Sequence, residues 1–99
     1  MDIDIKDNND VVTAVISGDI EMMIIKEFKT KLLDIGKSMD KDIEIDLSNV
    51  DYIDSSGIGV LITLLKMQKG KGKSLKINKI SPKVLDILKL SSLSDVFDL

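Results

Sequence analysis

The chain has no cysteine and no histidine. Without cysteine it can form no disulfide, carry no thiol nucleophile and offer no thiolate to a metal; without histidine it lacks the imidazole base of hydrolytic triads and the commonest zinc ligand. Arginine is absent too, since all 14 positive charges are lysine. The chain therefore supplies neither an arginine finger nor a bidentate guanine contact. One proline leaves no proline-rich linker, and an aromatic content of 3% excludes an aromatic core. No apolar run reaches the ~18 residues of a membrane span. The acidic start Met1-Asp2-Ile3-Asp4 is unlike the basic opening of a signal peptide, so the expected compartment is the cytoplasm.

What is present is aliphatic. Of 99 residues 43% are hydrophobic, with 15 Ile, 12 Leu, 7 Val and 5 Met. That suits one domain over residues 1–99, burying roughly two-thirds of the unfolded chain's surface. The net charge of −3 argues against a dedicated nucleic-acid or anionic-membrane surface, so neither direct nucleic-acid contact nor membrane insertion is expected.

Ile3 and Ile5 alternate with Asp2, Asp4 and Lys6, and Val11 to Ser17 is rich in β-branched residues. This predicts two strands joined by the turn Asp7-Asn8-Asn9-Asp10. From about Met23 to Met39, Ile24, Ile25, Phe28, Leu32 and Ile35 recur at helical spacing. Met22-Met23 reads as core filler for that helix. Ile43, Ile45 and Leu47 alternate with Asp42, Glu44 and Asp46, and Leu75 and Ile77 with Ser74, Lys76 and Asn78. Strands covered on both faces would read as continuous apolar runs; these do not, which places the helices mainly on one face.

Ile58 to Lys69 is apolar around most of a helical circumference and should be the most buried helix. Lys66, Lys69, Lys71 and Lys73 are expected to complement its C-terminal dipole, with Gly70 or Gly72 as the left-handed stop. Ser81-Pro82 opens a last helix to about Leu90, while Val96–Leu99 fits either a short strand or a helical turn. The resulting expectation is an α/β domain in the order β-β-α-β-α-β-α. Its mixed sheet has four to five strands, and three to four helices lie mainly on one face.

The informative stretch is Asp51-Tyr52-Ile53-Asp54-Ser55-Ser56-Gly57-Ile58-Gly59. It delivers two hydroxyls and a carboxylate to a helix N-terminus, where unpaired N–H groups point outward and a phosphoryl group is electrostatically tolerated. Ser and Asp are equally ordinary N-caps, and Gly57 and Gly59 suit close helix-to-strand packing. No P-loop occurs, and the dinucleotide fingerprint fails because Ile62 stands at the third glycine position. The aspartates at 2, 4, 7 and 10 lack calcium-loop spacing. Lys69-Gly70-Lys71-Gly72-Lys73 is explained by a capped helix end. No catalytic residue, metal site or cofactor is indicated.

Four segments in order resemble the STAS-domain family, specifically the bacterial anti-sigma factor antagonists. They are Gly18-Asp19-Ile20-Glu21, Ile45-Asp46-Leu47-Ser48-Asn49-Val50, Asp54-Ser55-Ser56-Gly57-Ile58-Gly59, and Ser81-Pro82-x-Val84 with Leu88, Leu93 and Phe97. The resemblance implies a partner-switching protein with no catalysis of its own. It points to Ser56 as the residue phosphorylated by an anti-sigma factor that is itself a GHKL-type serine kinase, with Ser55 as alternate acceptor and a PP2C-type phosphatase resetting the switch. Asp54 becomes the acidic neighbour that positions Ser56, Gly57 and Gly59 allow close partner approach, and Asp19 and Glu21 form a second contact loop. The family often has Gly-Glu-Leu-Asp in that loop; here the acidic types are exchanged, which keeps charge and alters reach. Two other readings remain, a non-phosphorylated STAS subunit of a lipid-transport or signalling complex and a small carboxylate enzyme.

Overall fold

All 99 residues are described by a computed structural model. Strands β1 (Asp2–Asn8) and β2 (Val11–Ser17) form an antiparallel hairpin, turned at Asn9, whose φ of +31° is a conformation asparagine tolerates. β2, β3 (Asp42–Asn49) and β4 (Leu75–Ile80) run parallel, and the sheet order is β1-β2-β3-β4. Helices α1 (Ile25–Ser38) and α2 (Ser55–Gly70) are the crossovers that parallel pairing requires, and α3 (Pro82–Leu90) follows β4.

The alternation read from the sequence divides the sheet in two. Val12, Ala14 and Ile16 of β2, Ile43, Ile45 and Leu47 of β3, and Leu75 and Ile77 of β4 are buried beneath the helices. On the other face Lys6, Thr13, Glu44 and Lys76 sit side by side across all four strands. That row is polar and alternates in charge, so it stays solvated without a covering layer. One-sided helix packing is therefore as expected.

α2 is the most buried helix, with Ile58, Val60, Leu61, Leu64 and Leu65 in the core. It crosses α1 closely at Gly36, where a Cβ would lie 2.7 Å from Leu64 Cδ1. Its end is a Schellman motif: Gly72, at φ +71°, donates to Lys69 O and Lys73 donates to Gln68 O. Lys71 does not serve the dipole of its own helix. Its Nζ donates to Gly36 O and to Met39 O, 3.0 Å away, and so caps the C-terminal carbonyls of α1. The lysine is long enough to reach a neighbouring helix end that has free acceptors.

Ser81 caps α3 by accepting from Val84 N and also donates to Val50 O at 2.6 Å. α3 ends in a second Schellman turn with Ser92 left-handed at φ +58°. The C-terminal segment is then a 3-10 helix, Ser94–Phe97, which inserts Phe97 into the core. That decides between strand and helical turn.

Met22 and Met23 overturn their reading as core filler, being 72% and 91% exposed in a 3-10 turn, Met22–Ile24, ahead of α1. Ile20 takes the core position of this loop. The apolar stripe of α1 starts with Ile24 and Phe28, and the methionines fall off it into solvent.

Candidate functional site

Two loops meet at the carboxyl end of the parallel strands. Ile20 N donates to Tyr52 O at 2.9 Å and Asp54 N donates to Ile20 O at 3.0 Å, a one-residue parallel bridge between Ile20 and Ile53. Both isoleucines are fully buried, so their neighbours in sequence are turned outward. Asp19, Glu21 and Tyr52 are exposed as a result, and Asp51 before them is exposed too. The bridge brings the backbone of the Asp19–Glu21 loop alongside Asp54.

Asp54 is the N-cap of α2, in extended conformation at φ −97° and ψ 179°. The helix therefore begins at Ser55 rather than Ile58, because the capping carboxylate recruits one more turn. Its Oδ1 accepts from Ser56 N at 3.0 Å, from Gly57 N at 3.2 Å and from the Ser56 hydroxyl. Its Oδ2 accepts from Met22 N at 3.0 Å. One carboxylate thus caps α2, orients Ser56 Oγ and anchors the neighbouring loop. Ser56 is half-buried with this single hydroxyl geometry, whereas Ser55 is exposed with its hydroxyl free of protein partners.

The two glycines are unlike. A Cβ on Gly57 would lie 2.6 Å from Ile20 Cγ2 and 2.8 Å from Ile53 Cγ1, so this glycine lets α2 seat directly on the loop bridge. A Cβ on Gly59 would meet nothing within 4 Å; that position is open surface. Beyond it a groove of about 500 Å³ runs between α2 and α3, lined by Tyr52, Ile62, Ile87 and Leu93 among others.

The Asp54 carboxyl is held below the ordinary aspartate value of 3.8. The Ser56 hydroxyl contributes most, partial desolvation opposes it, and the N–H groups of Gly57, Met22 and Ser56 add to the lowering. A carboxyl lowered in the folded state stabilises above its unfolded value and loses that contribution as pH falls through the folded one. The advantage of wild type over Asp54→Asn in urea midpoint is therefore expected to be constant near neutrality and to shrink from about pH 4 downward. An advantage that grows in acid would contradict the assigned hydrogen bonds.

Sequence reasoning missed Met22, Met23 and Tyr52 as parts of this surface. A signal existed for the methionines. Ile24 lies four residues before Phe28, in phase with the buried stripe, whereas Met22 and Met23 lie six and five before it, out of phase.

The fold is a small α/β domain with helices on one face of a mixed sheet, an aspartate-capped N-terminus on its most buried helix and an acidic loop bridged to it at the strands' carboxyl end. The profile of the family described as "Mlab, STAS domain" matches residues 1–98, and the chain belongs to the STAS-domain family. The anti-sigma-B factor antagonist of Bacillus subtilis (strain 168) is 29% identical over 99 residues, covering 100% of this chain and 90% of that protein. Among solved structures, an anti-sigma factor antagonist from Mycobacterium paratuberculosis superposes with a TM-score of 0.83 at 22% identity, covering 99% of this chain and 83% of that one. The anti-sigma factor antagonist SpoIIAA in its unphosphorylated form gives 0.80 at 14% identity, covering 95% and 84%.

Proposed function

We propose that this chain is an anti-sigma factor antagonist that works by partner switching. Unphosphorylated, it binds an anti-sigma factor, which lets the sigma factor go and transcription proceed. The anti-sigma factor is a GHKL-type, ATP-dependent serine kinase that phosphorylates Ser56 and ends the complex. A PP2C-type phosphatase returns the chain to its binding form. The domain supplies an acceptor and a contact surface, the kinase supplies the catalysis, and the exchange takes place in the cytoplasm.

The observation that carries this reading is the Ser56 hydroxyl. It is held by the Asp54 carboxylate at the N-terminus of α2, on an exposed acidic surface built from two bridged loops. The carboxylate fixes the hydroxyl in one rotamer and can accept its proton as a phosphoryl group arrives. The positive end of the α2 dipole then lies beside the new phosphate. The name carried by the B. subtilis relative over the whole chain supports the same reading.

The test is reconstitution with ATP and the anti-sigma factor kinase of the same genome, read by tandem mass spectrometry. One phosphate is expected on Ser56 and none on the Ser56→Ala chain. Phosphate on Ser55 instead would move the acceptor by one residue. With no phosphate, and with equal capture of membrane or transport proteins by wild-type and Ser56→Asp baits, the chain would be a non-phosphorylated STAS subunit and Ser56 only part of a helix cap.

A further inference from the structure

Of the six exposed large hydrophobic residues, three belong to the two bridged loops: Met22, Met23 and Tyr52. The others, Ile5, Leu90 and Val96, lie singly elsewhere. Isolated exposed hydrophobics need no explanation, but these three lie on the two loops that the Ile20–Ile53 bridge joins at the proposed acceptor. Met22 is fixed there by its own backbone, since Met22 N donates to Asp54 Oδ2, the same carboxylate that orients Ser56. Between and beside them are Asp19, Glu21 and Asp51, all exposed and none in an ion pair. Both ion pairs of the domain, Lys31–Glu27 and Lys41–Asp7, involve other residues.

We infer that Met22, Met23 and Tyr52 form an apolar grip around an acidic centre, and that the grip selects a protein partner whose facing surface is cationic with an apolar recess. This rests on the partner-switching reading and names the chemistry of the partner at that site. Acidic groups without internal counter-ions favour a lysine- or arginine-bearing surface and speed its approach. The methionines supply the short-range part. A flexible, polarisable side chain adapts to a recess and loses its water there. Because the turn is tied to Asp54, the grip and the acceptor hydroxyl approach a partner as one unit, so a partner that seats the methionines also finds Ser56 in register.

The experiment uses the purified anti-sigma factor kinase of the same genome, loaded with ADP, and the full chain. Met22→Ser/Met23→Ser removes only exposed side chains, so its urea midpoint should equal that of wild type. Its affinity for the kinase should fall about tenfold to thirtyfold, the worth of two partly buried methionines after the cost of ordering them. The loss should persist at high salt. Reversing the charges with Asp19→Lys/Glu21→Lys should weaken binding mainly at low salt. In oxidative footprinting, Met22 and Met23 should be protected by the kinase while Met67 is unchanged.

Equal affinity of the serine variant, with Ser56 phosphorylated normally, overturns the inference and leaves the partner-switching reading standing. A kinase that neither binds nor phosphorylates wild type removes that reading and the inference with it. A concentration-dependent dimer of the chain alone, abolished by the same substitutions in sedimentation, assigns the grip to a second copy and also overturns it.

Discussion

Ser56→Asp is expected to weaken the complex with the anti-sigma factor kinase by about 30-fold to several thousand-fold while leaving the fold in place. Ser56 Oγ donates to Asp54 Oδ1. A carboxylate or phosphate in its place has no proton to donate, and it adds a negative charge beside a carboxylate that is already ionised. In a solvated monomer this costs little, because water screens the pair and the N-terminal end of α2 attracts the new charge. In an interface the water is gone. A like-charge juxtaposition or an unpaired charge there costs roughly 2 to 5 kcal/mol, which is the affinity range stated. Phosphoserine, at about −1.5 to −2 charges, should act at least as strongly. Titration calorimetry with the ADP-loaded kinase checks this against Ser56→Ala, which should bind within a few-fold of wild type. Binding of Ser56→Asp as tight as that of Ser56→Ala would remove charge as the switching device.

Under the proposed switching, phosphorylation is expected to work through the surface rather than through the fold. Asp54 N, which holds the loop bridge to Ile20, and the buried pair Ile20 and Ile53 make no hydrogen bond with Ser56 Oγ. The proposed switch therefore calls for no second conformation.

The parts legible in the sequence were those set by alternation. Strand positions such as Ile43, Ile45 and Leu47 announce a half-buried sheet at period two, and their burial follows directly. Ser81-Pro82 announced a helix start, and the side chain caps as its type suggests. What was not legible depends on where chain segments meet. The reach of Lys71 to the end of α1 needs the α1–α2 crossing, which no local pattern encodes. α2 starts at Ser55, ahead of the apolar run that opens at Ile58, because the Asp54 cap adds a turn that the apolar pattern does not mark. The acidic residues Asp19 and Glu21 and the serine loop were joined by family resemblance. The physical reason is the backbone pairing of Ile20 with Tyr52 and Asp54, thirty-odd residues away. Met22 and Met23 lie in solvent because they are out of phase with the buried stripe through Ile24 and Phe28, which their apolar type does not reveal.

The two glycines of the serine loop should respond to alanine with opposite sign. For Gly57→Ala the new methyl would overlap Ile20 Cγ2 and Ile53 Cγ1, both on fully buried side chains. Neither isoleucine can retreat cheaply, since the two residues form the bridge that holds the loops together. The first turn of α2 must lift instead, at a cost of about 1 to 3 kcal/mol for overpacking. The lift carries Asp54 away from Met22 N and Ser56 away from the acidic loop, so kinase affinity should fall along with the urea midpoint. Gly59→Ala meets empty space and replaces a glycine inside a helix, which should stabilise by roughly 0.5 to 1 kcal/mol. Its outward methyl would lie on the face proposed to meet the partner. The chain should then be more stable yet bind its kinase severalfold more weakly, the combination expected when a glycine is kept for close approach rather than for folding. Urea midpoints and kinase affinities of both variants are enough to check it. A Gly57→Ala chain as stable as wild type would show that α2 does not rest on the loop bridge, and a Gly59→Ala chain with full affinity would confine the partner to the Ser56 side of the helix.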